Sequence, residues 1–198
     1  MLSATLSRFG VWCGVVAGLL LAVPSAVEAV TGEIAATSFL LGLAPALALP
    51  LLVVLHLRQS QSAGTFGAVA YTVNLVGLGL FGGAGFTLNM TLFYLDGPVI
   101  EELLRGPTRL ALLGSAVVFA VGAVLFGISL LRARIHPRVP SVAYLVALPA
   151  LALAAPLPDT LFITGLHVVA GMALCWLAMS PASTATSAAP ARSHAGVR

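Results

Sequence analysis

Ile34 to Leu57 reads IAATSFLLGLAPALALPLLVVLHL, and after the polar and small residues RQSQSAG at Arg58 to Gly64 the chain resumes as TFGAVAYTVNLVGLGLFGGAGFTLNMTLFYL from Thr65 to Leu95. A helix needs about 20 predominantly apolar residues to cross roughly 30 Å of hydrocarbon. Both runs exceed that length without a charged residue, and the second is long enough to tilt or to continue beyond the bilayer. Two membrane spans joined by a short polar turn are therefore expected. Working outward, the same criterion finds spans at Phe9 to Val27, Arg109 to Leu131, Val139 to Leu157 and Leu161 to Met179. The expected fold is all-α: a polytopic membrane bundle of six transmembrane helices, one domain over 1–180. The remainder, 181–198, is rich in Ala, Ser, Thr and Pro and reads as a disordered tail.

Composition agrees. The 198 residues are 60% apolar and 8% charged, with a mean hydropathy of +1.08, against about 25% charged residues in soluble domains. All nine basic residues are arginine, and no basic cluster suited to nucleic acid is present. Loops rich in Arg are retained on the cytoplasmic side. With six spans and an inside amino terminus, Arg8, Arg58, Arg132, Arg134, Arg138, Arg192 and Arg198 fall inside, and only Arg105 and Arg109 fall outside. Both termini are thus expected in the cytoplasm, in a multi-pass protein of the cell (inner) membrane. All six acids fall outside, and Trp12 and Trp176 fall at the inner boundary where amphipathic rings prefer to sit. Cys13 and Cys175 flank those tryptophans, which would suit first and last helices that are neighbours. A competing reading of the first span is a signal peptide, with small residues near Val27 and Ala29 as its cleavage site.

Proline interrupts three spans, and Gly77, Gly79, Gly82, Gly83 and Gly85 crowd the third, as in helices that approach closely. Pro45 to Leu49 and Pro149 to Leu153 share the run PALAL in the middle spans of the two halves. Inverted halves of that kind occur in secondary transporters.

Few residues could carry chemistry. Asp96 to Pro107 has the grammar of a short interfacial helix: an early proline, early acids, a late arginine, then Gly and Pro. Glu101 can pair with Arg105 four residues on. His167 is the one histidine well inside a span, His56 lying by a cytoplasmic boundary, and Asn74 and Asn89 are interior polar groups suited to hydrogen bonding between helices. An outer pocket of His167, Asn74, Asn89, Glu101, Glu102, Arg105 and Arg109, with an arginine offered to an anionic head group, is the candidate ligand site. No lysine is available for a Schiff base, and no phosphate loop, dinucleotide fingerprint or paired-cysteine motif is present, so no cofactor is expected. Glu101 and Glu102 resemble the glutamate pair of CAAX-processing intramembrane proteases. Arg105 stands one residue too early for that motif and the later histidine pattern is missing, so no protease chemistry follows.

Leu125 to Tyr144, with Phe126, Gly127, Leu130, Leu131, Arg132, Arg134, Pro137 and Tyr144, resembles the helix-loop-helix of small multi-pass membrane proteins of high-GC bacteria grouped as domain of unknown function 4386. The resemblance implies a bacterial inner-membrane protein. The expected role is a non-enzymatic membrane component that binds a lipid, a small anionic ligand or a membrane-protein partner, a second copy of itself included; the alternative is a small transporter or permease subunit.

Overall fold

A computed structural model describes residues 4–157 and 160–181. The expected disordered tail beyond Pro181, with Arg192 and Arg198, lies outside the described residues, as does Asp159. The described residues are all-helical: α1 (Ala4–Thr31), α2 (Ala35–Met90), a 3-10 turn (Leu92–Tyr94), α3 (Gly97–Leu104), α4 (Pro107–Ala133), α5 (Arg138–Ala154) and α6 (Leu161–Met179). Among the described residues, four stretches are long and apolar enough to cross a membrane: α1, α2 with its 3-10 turn, α4 and α6. The 17 residues of α5 form a shorter apolar helix.

The two expected spans over Ile34 to Leu95 meet in α2 without an intervening loop. Helical backbone continues through Arg58 to Ala63 and reverses at one residue, Gly64, with φ 56° and ψ −154°. That conformation is open to glycine and strained for any residue with a Cβ. The limbs 35–63 and 65–90 then run back along each other. His56 stacks on Tyr71 with ring centroids 4.1 Å apart, Gly82 faces Pro45, and Gly42 faces Asn89 and Met90.

Contacts between helices close a ring. The first limb of α2 packs on α1 where Gly14 faces Leu51, and the second limb packs on α4. From there α4 packs on α5, α5 on α6, and α6 returns to α1. First and last helices are neighbours, as the Trp and Cys pairs suggested: the Cys175 thiol points to the Val15 carbonyl at 3.4 Å, and Gly18 faces Gly171. The contacts between α1 and α6 pair rising with falling residue numbers, so the start of α1 and the end of α6 share one end of the bundle. Arg8, Arg58, Arg132, Arg134 and Arg138 sit at that end, and Trp12 and Trp176 are both exposed there.

Surface and interior are both apolar. Val69, Val76, Val117, Val121, Val142 and Val146 face outward along the helices, while Leu51, Leu55, Phe126, Leu130 and Leu177 are buried. Helices apolar on every side belong in lipid. Because lipid tails are as apolar as leucine, association relies on close packing through small residues. A Cβ on Gly77 would meet the Phe119 backbone at 2.6 Å, and one on Gly122 would meet the Asn74 backbone at 2.5 Å.

Gly77→Ala and Gly122→Ala should each destabilise the bundle by about 1–3 kcal/mol through overpacking. Gly79→Ala and Gly83→Ala, which have open space at the added carbon, should be close to neutral. Thermal unfolding of the four variants in one detergent checks the contrast.

Candidate functional site

The acidic end of the bundle meets its polar needs locally. Within α3, Arg105 Nη2 donates to Glu101 Oε1 at 2.9 Å, and both side chains are about 70% exposed. Asp96 stands at the N-cap position of this helix, without a side-chain cap bond, and Pro98 occupies its first turn, in the short helix expected from sequence. Glu102 and Arg109 are exposed. Asn89 donates to the Gly85 carbonyl of its own helix at 2.8 Å, and Glu33 accepts from Ser38 at 2.7 Å. His167 Nδ1 lies 3.0 Å from the Ile163 carbonyl, one turn back on α6. Glu101 and Arg105 are thus brought together, and Asn74 lies in the opposite half of the bundle. No cluster of three or more His, Cys, Asp or Glu side chains that could hold a metal occurs among the described residues.

At the centre, all six helical limbs wall a cavity of about 50 Å³. Its lining includes Leu21 of α1, Ala48 and Leu55 of the first limb of α2, Leu78 and Phe81 of the second, Phe119 of α4, Tyr144 and Leu151 of α5, and Leu174 of α6. None of His167, Asn74, Asn89, Glu101, Glu102, Arg105 or Arg109 lines it. Tyr144 supplies the one polar side chain of the lining, and its hydroxyl accepts from Asn74 Nδ2 at 2.6 Å. Asn74 is fully buried, set against α4 by the close approach of Gly122.

The Arg-rich end is stitched between helices. Gln59 Nε2 donates to Ser129 Oγ at 3.2 Å, both residues being buried. Arg58 donates to the Ser180 carbonyl at 3.2 Å and to Ser7 Oγ at 3.4 Å, tying α2 to the end of α6 and the start of α1. A cation on the last carbonyls of a helix suits the negative end of its dipole. In the turn after α4, Arg134 adopts a left-handed conformation with φ 55°, and His136 is folded inward to 5% exposure. Burial pushes the His136 imidazole down to about 4; the Leu55 carbonyl opposes that shift and the Arg58 charge adds to it. Gln59 and His136 fall outside the spans drawn from charge, while Ser129 and Tyr144 lie within them and were not among the candidate residues. The only signal for Gln59 was its place one residue after Arg58, where the apolar run stops. Comparison with protein-family models, curated proteins and solved structures finds no match to this chain.

Tyr144→Phe should cost about 1–3 kcal/mol, because it strands a buried Asn74. Adding Asn74→Leu should recover part of that loss, so a double-mutant cycle by chemical unfolding should show coupling of about 0.5–3 kcal/mol.

His136 supplies a pH test. A histidine with a lowered folded pKa leaves the unfolded chain holding more protons, so stability falls as pH drops from 6.5 toward 4 and levels off below. The slope contributed should approach about 1.4 kcal/mol per pH unit, and His136→Gln should abolish that contribution in unfolding midpoints measured across the range.

Proposed function

We propose that this chain is a six-span protein of the cell membrane, with both ends on the cytoplasmic face, that acts without catalysis as a lipid-binding component and takes an alkyl segment into its central cavity. The observation that carries the reading is the cavity itself: every limb contributes to it, its walls are apolar, and its one hydroxyl is engaged by Asn74. Apolar cavities stay dry and accept apolar guests. Each limb of α2 alone exceeds the length needed to cross, and α5, with 17 residues, reaches the lower bound of about 17. The clustering of Arg8, Arg58, Arg132, Arg134 and Arg138 at one end supports the orientation. The resemblance of Leu125 to Tyr144 to bacterial inner-membrane proteins agrees with the location.

A permease subunit is the second reading. It is favoured by the two PALAL segments, since Pro45 and Ala48 from one and Leu151 from the other wall the same cavity.

Native mass spectrometry of the full chain from mild detergent should show a retained lipid, and Ala48→Phe, which fills the cavity, should reduce its occupancy at least severalfold. Absence of any retained apolar molecule from the unmodified chain would sink the lipid reading. Solute uptake into proteoliposomes that Ala48→Phe blocks would favour the permease instead. Labelling of single cysteines at Arg138 and Glu102 positions from either side of the membrane checks the orientation: the first should react only from within.

A further inference from the structure

Polar atoms withdrawn from water and left without partners concentrate at the Arg-rich half of the bundle. Gln59 Oε1, Asn74 Oδ1 and His56 Nδ1 have no hydrogen-bond partner, and the His136 ring has, as an acceptor, only the Leu55 carbonyl beside it, outside good hydrogen-bond geometry. Gln59 and Asn74 are fully buried and His136 is 5% exposed. Buried polar groups in folded proteins are met by protein, by ordered water or by a ligand, and the exceptions are few enough that each calls for an explanation. Here several fall in one region.

The placement is built by three elements. Gln59 ends the first limb of α2, and its amide nitrogen is committed to Ser129 of α4, so its oxygen is the group left over. The left-handed turn at Arg134 carries His136 inward beside the Leu55 carbonyl and the Arg58 guanidinium. Leu55 and Gln59 are one helical turn apart, on the same face of their helix. Asn74 stands deeper: Gly67 packs on Ser129, and Asn74 follows seven residues later, roughly 10 Å along the helix. There it adjoins Tyr144, whose ring reaches the apolar cavity.

The chemistry of these atoms selects the occupant. Two are amide oxygens, which accept hydrogen bonds and repel an anion. The Arg58 charge beside His136 repels a cation, and no described carboxylate lies at this end of the bundle to offset it. A neutral imidazole has one donor and one acceptor nitrogen, and a hydroxyl group can meet either of them because it both donates and accepts. We infer that the Arg-rich end of the bundle encloses a binding site for a small neutral hydroxylic molecule, water or a hydroxyl-bearing solute, held between Gln59, Ser129 and His136. The site is separate from the apolar cavity and stands whether or not that cavity takes a lipid.

Water-edited solid-state NMR on the full chain in liposomes tests it. Magnetisation from water should reach the Gln59 side-chain amide and the His136 ring as fast as it reaches the Gln61 amide next to the turn. In parallel, small molecules released on denaturation are identified by mass spectrometry. Rapid transfer with no released solute identifies water; a hydroxylated solute at one per chain identifies the solute, with or without transfer. Dark Gln59 and His136 signals together with no stoichiometric solute overturn the site. Unfolding of the double variant Gln59→Leu, Ser129→Ala gives a second measure, since it removes both partners of one bond and leaves only the occupant to lose. An occupied site predicts a midpoint lowered by about 2–4 °C or more, and an unchanged or raised midpoint counts against it. Should that variant fail to fold, the NMR and mass measurements on the unmodified chain decide alone.

Discussion

Apolar helical limbs have no solvent-driven reason to gather in a lipid setting, so a ring of six such limbs depends there on places where backbones touch. Two seams supply most of that contact. Between α1 and α6, Gly18 and Gly171 face each other so closely that a Cβ on either would strike the other's carbonyl oxygen. Between the second limb of α2 and α4, Gly77 lies on the Phe119 backbone and Gly122 on the Asn74 backbone. Dispersion over such close surfaces is the attraction available once hydrophobic burial is gone. Gly64 completes the closure, because a reversal within one residue holds both limbs of α2 adjacent from their first turn.

The consequence of closing the ring with small residues is an interior that the limbs do not fill. Alanines at 48, 120, 123, 147 and 152 are buried around the centre, and they allow close approach while leaving the cavity that Leu55, Phe119 and Tyr144 border. The two ends are then secured by different means. At the Arg-rich end, Gln59 with Ser129, Asn74 with Tyr144, and Arg58 with Ser180 and Ser7 all join separate helical limbs. At the acidic end the hydrogen bonds of Asn89, Ser38 and Arg105 stay within five residues of their origin. Opening α2 away from α4 at the Arg-rich end therefore breaks the Gln59–Ser129 bond, whereas the same motion at the acidic end breaks none of these.

Charge-free length made the helices legible in the sequence, since a bilayer punishes charge in proportion to depth. The boundaries drawn from charge are where that reading slips. Arg58 ends an apolar run, yet the helix continues to Ala63, because a long arginine stem can carry its guanidinium to the carbonyl of Ser180 while its backbone stays helical. Gln59 was hidden by that truncation. The matching Trp12, Cys13 and Cys175, Trp176 pairs did foreshadow the contact between α1 and α6, since residues at equal depth on adjacent antiparallel helices meet. Nothing in the letters around His136 shows that Arg134 turns left-handed and folds the imidazole inward.

The same physics explains why the most charged segment was the most visible and the least informative about the interior. Glu101 and Arg105 pair across one helical turn while mostly exposed to solvent, where such a pair is worth little and obliges nothing else in the fold. A neutral amide stripped of water has no such freedom. Asn74 and Gln59 each commit one head to a neighbouring helix and present the other to the interior, so their environment must be completed by something besides the helices that hold them. In a bundle so poor in polar groups, a buried amide constrains what surrounds it more than an exposed charge does. The polar chemistry of this chain is accordingly to be sought among its uncharged side chains at the Arg-rich end.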